Sequence, residues 1–373
     1  MNIHQKFYRG DPLTYFVRSK LNLTPSKATL LIVLVLNLPV IILATIFDLW
    51  TDSNGVTGLL HDYAWWGEQF LGVSATIFFF FWLPNGIYDV INGLVSNNVI
   101  QAPGQVDDED DRFQDFIIRF AKNYSSWLLI LLVFCSVTLL MVFAVIPEHK
   151  TFNAWLTENG VIFWYHELFW YIIFLIGGMT VVKVLMILYW FNRLFREFEA
   201  DVKVLHPDKA GGLSPLGNFS VKIGYMIGIF GFTAVLVIWS HAAYMLGNDK
   251  LSFSAQPGLI SLLIVYMILA PIVFFAPIGS AHSAMKKARH EFIFTISNQF
   301  ENDFKKIEWL LSKDSDDLKK GLEKIEQIQK IHNMATRFPI WPFNTASIVR
   351  FFSSVFLPIL IGLAPTIFDK IFP

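Results

Sequence analysis

Seven stretches of this chain run for about 20 residues with almost no charge, the length an α-helix needs to cross a hydrocarbon core of about 30 Å. They cover 28–48, 69–91, 124–146, 163–190, 222–246, 258–281 and 347–368. Few folds accommodate such a pattern. Inside lipid every backbone amide and carbonyl must find an internal partner, which leaves helices or a closed barrel, and continuous runs of this length are helical. Composition agrees, since 54% of the residues are hydrophobic and only 16% are charged, too few to clothe a water-soluble fold. The expected fold is all-α: a polytopic helical membrane protein of about seven spans with a cytosolic helical hairpin. The second stretch is the least regular, because Pro84-Asn85-Gly86 interrupts it and Asp89 follows. If it leaves the membrane there, the count falls to six.

Orientation follows from Lys and Arg, which favour the cytoplasmic side. Residues 1–27 hold Lys6, Arg9, Arg18, Lys20 and Lys27, and further clusters follow the second, fourth and sixth spans at Arg112–Lys122, Arg193–Lys209 and Lys286–Arg289. The connection from Asp48 to Glu68 has neither residue type, and the third and fifth connections hold one each, Lys150 and Lys250. This distribution predicts a cytoplasmic N-terminus. Residues 1–27 lack the apolar core and small-residue cleavage site of a signal peptide, so they read as a cytosolic leader. Thr24 and Pro25 then supply an N-cap and first-turn proline for the first span. The remaining layout is a transmembrane domain over 28–281, a cytosolic hairpin over 282–336, an interfacial elbow over 337–346 and a last span with the C-terminus over 347–373.

The hairpin assignment rests on spacing. Ile293, Ile296, Phe300, Phe304, Ile307 and Leu311 recur at steps of three and four, as do Leu318, Leu322, Ile325, Ile328 and Ile331 after a polar turn. Such a pair can pack on itself, cover the membrane domain, or serve as a subunit interface resembling a short coiled coil. In the elbow, Phe338, Trp341 and Phe343 lie around Pro339 and Pro342, a composition suited to headgroup depth.

Several function classes are disfavoured. The net charge of −1 and the scattered Lys and Arg provide no basic stripe for nucleic acid. One cysteine, Cys135, allows no internal disulfide and reads as a small packing residue. The chain contains no H-E-x-x-H, G-x-S-x-G, Walker A or G-x-G-x-x-G string, so no enzyme activity, cofactor or metal is expected and no catalytic residue is named. The acidic run Asp107–Asp111 reads as solvated charge. His61-Asp62 and His166-Glu167 fall at outer loops or span ends without a zinc-hydrolase spacing.

Lys183 is the one charge well inside an apolar run, toward the predicted inner end of the fourth span. It either snorkels to the headgroups or faces the bundle interior, where an acidic partner such as Asp89 would neutralise it. Lys183 and Asp89 are therefore the permeation candidates. Gly177 and Gly178 in the fourth span, and Gly224, Gly228 and Gly231 on one face of the fifth, are expected at helix contacts. Pro271 and Pro277 in the sixth span, and Pro358 and Pro365 in the seventh, should bend those helices.

The most specific string is His206-Pro207-Asp208-Lys209-Ala210-Gly211-Gly212-Leu213. His206, Asp208, Gly211 and Gly212 are the candidates for ligand binding or gating, because paired glycines free the backbone amides and the two ionisable groups could hold a ligand. The other reading is a turn in which Asp208 caps local amides. Together with Trp341-Pro342-Phe343 before the last span, the string resembles a group of uncharacterised bacterial multi-pass membrane proteins. That resemblance implies a bacterial inner-membrane location and no particular activity. The few midplane charges and the large cytosolic module suggest a homo-oligomeric channel gated from its cytosolic parts, with a secondary transporter or a non-conducting sensor or scaffold as alternatives. Expected partners are the lipid bilayer, further copies of the chain, and a cytosolic protein or small ligand at the His206 loop or the 285–335 hairpin.

Overall fold

The computed structural model describes residues 6–8, 10–53, 56–100, 107–151, 154–246, 257–310, 316–343, 348–357 and 360. Its helices are α1 (Pro12–Tyr15), α2 (Pro25–Ile46), α3 (Trp65–Ser96), α4 (Asp107–Tyr124), α5 (Trp127–Leu140), α6 (Gly160–Glu197), α7 (Ser214–Leu246), α8 (Pro257–Phe275), α9 (Gly279–Leu310), α10 (Asp316–Thr336) and α11 (Ile348–Leu357). A wider turn over Glu68–Val73 lies within α3, and another over Met141–Val145 prolongs α5 toward His149. Among the described residues no strand forms, only two isolated bridges. Among the described residues five helical stretches are long and apolar enough to cross a membrane, or six if the pair Tyr266–Phe275 and Gly279–Lys306, bent by 47°, is taken as one span. The protein is thus an all-α, polytopic helical membrane protein. Of the seventh predicted span only α11 is described, and it is too short to cross alone; Pro358 and Pro365 lie outside the described residues.

The segment expected to be least regular is the centre of the bundle. In α3, 72% of the span is buried, against 17% for α2 and for the stretch from Arg112 to His149. It packs on α2, α6 and α7. Pro84 sits inside α3 without ending it, because the amide it removes is one of many and the surrounding helices hold the backbone in register. The less buried helices turn Leu30, Leu34, Val35 and Leu38 of α2, and Leu128, Leu132 and Leu139 of α5, outward as an apolar belt that suits lipid. Cys135 belongs to that belt: it is exposed and fills no gap in the core.

Transfer from lipid to protein yields little hydrophobic free energy, so close packing must hold these helices together. Aromatic rings supply much of it: Phe120 stacks on Trp190 at 5.4 Å, Phe116 meets Trp190 edge-on at 5.2 Å, and Trp82 stacks on Phe219 at 5.6 Å. The expected small-residue contacts form along α7. A methyl at Gly228 would lie 2.8 Å from the Ser354 carbonyl oxygen of α11, one at Gly224 would lie 3.0 Å from Phe351, and one at Gly231 would strike Tyr266. Gly178 approaches Val133 in the same way, whereas a methyl at Gly177 would meet only Thr76 at 3.6 Å, an ordinary distance.

At one end of the bundle the leader, the His206 loop and the hairpin gather. Asn97 at the end of α3 donates to the Gly212 carbonyl at 2.8 Å, Lys6 reaches Gln114 at 3.1 Å, and Phe338 packs on Gly211. The hairpin is antiparallel, since Arg289 bonds the Thr336 carbonyl at 2.6 Å while Asp303 takes Lys324 at 2.8 Å. The elbow tucks into the bend between α8 and α9: Trp341 stacks on His282 at 4.0 Å, and Phe338 and Phe343 are buried.

Candidate functional site

Two polar constellations lie inside the apolar frame, one near each end. The first begins at Asp11. Its extended backbone places the carboxylate before α1, where Oδ1 accepts the amides of Leu13 at 3.0 Å and Thr14 at 3.1 Å. Oδ2 accepts from the Lys183 ammonium. Lys183 is 1% exposed, and its Nζ lies 3.8 Å from the Phe80 ring centroid and 5.2 Å from that of Tyr124. The lysine therefore faces the bundle interior and does not snorkel. Its partner is Asp11, not Asp89, which is exposed on α3.

The leader is correspondingly not a loose tail. Phe7 is fully buried, 4.9 Å from Phe120 and 5.5 Å from Tyr124, both edge-on. Arg18 holds the Leu23 carbonyl at 2.6 Å and Asn85 Oδ1 at 3.1 Å, and Tyr8 donates to the same oxygen. Gly10 passes so close to Ser125, at the turn between α4 and α5, that any side chain there would collide with it. Asn85, the middle residue of the expected interruption, is thus the docking point of the leader.

The second constellation occupies the opposite end. His149, at the end of the α5 extension, and His166-Glu167, in the second turn of α6, converge so that their ligand atoms lie within 4.8 Å of one another. Glu167 Oε1 lies 2.7 Å from His149 Nδ1 and 3.3 Å from His166 Nδ1, while Glu167 Oε2 is buried without a hydrogen-bond partner. Trp170 Nε1 donates to His166 Nε2 at 3.0 Å, which fixes the proton of that imidazole on Nδ1. Trp155, whose ring is 6.0 Å from that of His166, donates to Asp62 at 2.9 Å. His61 and Asp62 part company: His61 turns out to Asp52 at 2.8 Å, and Asp62 turns in and caps Trp65.

The His206 loop is braced from within. Asp208 Oδ1 accepts the amides of Ala210 at 2.8 Å and Gly212 at 3.0 Å, Oδ2 accepts that of Ser214 at 3.2 Å, and His206 Nδ1 lies 2.8 Å from Oδ1. Burial pushes the carboxyl's pKa up, but the three amides and the imidazole outweigh it and hold the group below its ordinary value of 3.8. Gly211 and Gly212 have φ of +68° and +87°, which side chains rarely tolerate. The geometry is that of the turn reading, with both carboxylate oxygens engaged by the loop itself. The acidic run begins α4, and its side chains lie outside the described residues.

Sequence spacing marked Lys183 and the His206 loop but set aside His166-Glu167 and passed over Asp11. A signal for the distal cluster did exist. Positions 149 and 166 end and begin consecutive spans, so they lie at similar depth on adjacent helices. No protein-family model, curated protein or solved structure matches the chain.

Proposed function

We propose that this membrane protein is a homo-oligomeric channel of a bacterial inner membrane, with a cytoplasmic leader that acts as its closing element. The observation that carries the reading is the Lys183–Asp11 pair. A buried ion pair is a poor device for stability, because apolar side chains of the same volume do as well or better, and its best-attested use is to specify one of two states. Here one charge belongs to a span and the other to the short segment that precedes the first span. Withdrawal of that segment would leave a cation inside the membrane domain, and a ring of such cations from several copies favours anions. The His206 loop and the 285–335 hairpin gather at the same end, so a ligand or partner acting there would bear on the leader.

The test is flux across liposomes carrying the purified protein. Asp11→Asn, and a variant lacking residues 1–20, should raise chloride flux over the wild type, and Lys183→Met in the shortened background should lower the preference for chloride over potassium. Saturable flux coupled to protons or sodium would indicate a transporter. Folded protein that passes no ion in any variant would indicate a non-conducting sensor or scaffold.

A further inference from the structure

We propose that His149, His166 and Glu167 form a binding site for a first-row divalent transition-metal cation of the Zn2+ class at the end of the bundle opposite the leader. Two imidazoles and one carboxylate are a donor set that suits such ions. Mg2+ and Ca2+ instead demand six or more oxygens, which this pocket does not provide. All three groups offer a ligand atom within 4.8 Å of the others, close enough for one ion to touch each after small rotamer shifts.

Two further features point to a ligand. Glu167 is 2% exposed, yet its Oε2 has no hydrogen-bond partner, an expensive arrangement for a buried carboxylate unless something else takes the oxygen. His166 is likewise 4% exposed, so the site is walled on the protein side. His149 differs, with a side chain 15% exposed, and its outer edge is the path by which an ion or a coordinated water would arrive. The surroundings resemble the outer shell of a metal centre. Trp170 hydrogen-bonds the His166 ring, and Trp155, whose ring lies 6.0 Å from that of His166, is itself held by Asp62.

Ligation requires one local rearrangement. In the ion-free geometry His166 keeps its proton on Nδ1, toward Glu167, and its Nε2 accepts from Trp170. An ion shared with Glu167 takes Nδ1, the ring nitrogen that faces that carboxylate, once the proton moves to Nε2. That shift sets two N–H donors against each other and breaks the Trp170 hydrogen bond, so the indole is the group an incoming cation displaces.

The experiment uses the full-length protein purified in detergent, stripped with a chelator and dialysed against Zn2+ or Co2+. One Zn2+ should bind per chain, with no competition from a thousandfold excess of Mg2+, and Co2+ should give visible d–d bands of a low-coordinate nitrogen and oxygen site. Glu167→Gln and His149→Gln should each weaken Zn2+ by at least about 100-fold, since outer-shell changes alone cost about 10- to 100-fold. His61→Gln, at an exposed histidine of the same end, should change nothing. If Glu167→Gln does not fold, His149→Gln at the partly exposed edge carries the same comparison. Wild-type protein that binds no Zn2+, or variants that bind it as tightly as the wild type, would overturn the assignment and leave the cluster as a hydrogen-bonded helix contact.

Discussion

Asp11→Asn isolates the charge of the buried pair from the other work of that side chain. Asparagine keeps an oxygen for the Leu13 and Thr14 amides, so the cap, typically worth about 1 kcal/mol, survives. What disappears is the anion beside an ammonium that is 1% exposed and faced by the rings of Phe80 and Tyr124. Breaking a buried pair from one side costs about 3–5 kcal/mol. The two ring faces continue to stabilise the ammonium, which sets the expectation at the lower bound, about 3 kcal/mol or a factor of about 150 in the unfolding equilibrium. Lys183→Met should cost less, because the Asp11 carboxylate retains two amide donors. The double variant should recover most of the Asp11→Asn loss. The assay is a double-mutant cycle from denaturant unfolding in detergent, read alongside thiol labelling of a cysteine placed at the buried Thr14 in a Cys135→Ser background. Labelling should accelerate in Asp11→Asn and return toward the wild-type rate in the double variant. A coupling energy below about 0.5 kcal/mol, the scatter expected of independent sites, with unchanged labelling, would refute the view that this charge pair holds the leader in the bundle.

Asp208→Ala should destabilise the end of the bundle by about 2–4 kcal/mol, because three amides lose a charged acceptor. Its folded-state pKa is held below the unfolded one, so that contribution is complete above the ordinary value of 3.8 and disappears as pH falls through the lowered value. Stability measured against pH should therefore show a constant gap between wild type and variant near neutrality that closes only in acid. Gly228→Val should push α11 off α7, since its first side-chain carbon would sit 2.8 Å from a backbone oxygen. A loss of about 1–3 kcal/mol is expected, with faster hydrogen exchange in α11 and little change in α2.

Five of the seven expected spans, or six with the bent pair counted as one, were legible because burial in lipid imposes a length and a composition that any reader of the chain can count. Partner identity was not. Lys183 stood out as a lone charge, but its carboxylate lies 172 positions away, and a salt bridge between a leader and the fourth span leaves no periodicity. Asp89, the acidic partner expected from the sequence, belongs to a different span and lies on an exposed face of α3. Pro84-Asn85-Gly86 is unusual in the sequence, and the expected span over 69–91 nonetheless runs through it as one helix, Trp65–Ser96. Its irregularity serves the contact that Asn85 makes with Arg18 and Tyr8, which no local rule contains. In the His206 loop, by contrast, every element of the turn was local: a proline, an acidic side chain within reach of the following amides and two glycines at positive φ. The loop was therefore readable from its own letters. The distal cluster fell between these cases, with two residues adjacent in sequence and the third placed by the return of the chain.

Helix α9 adds a mechanical dimension. At 32 residues it is about 48 Å long, and it departs from α8 at the Ala276–Ile278 turn without a flexible linker. Because α10 lies antiparallel along it and Asp303, braced by Gln299 of the same helix, takes Lys324 of α10, the arm resists bending over much of its length. A tilt of about 5° in α8 would sweep the far end of such an arm through about 4 Å, for a rigid rod of that length. The gearing also runs in reverse: a force applied at the tip reaches the pivot multiplied by the same ratio, so small loads on the hairpin translate into large torques where Phe274, Phe275 and Trp341 meet.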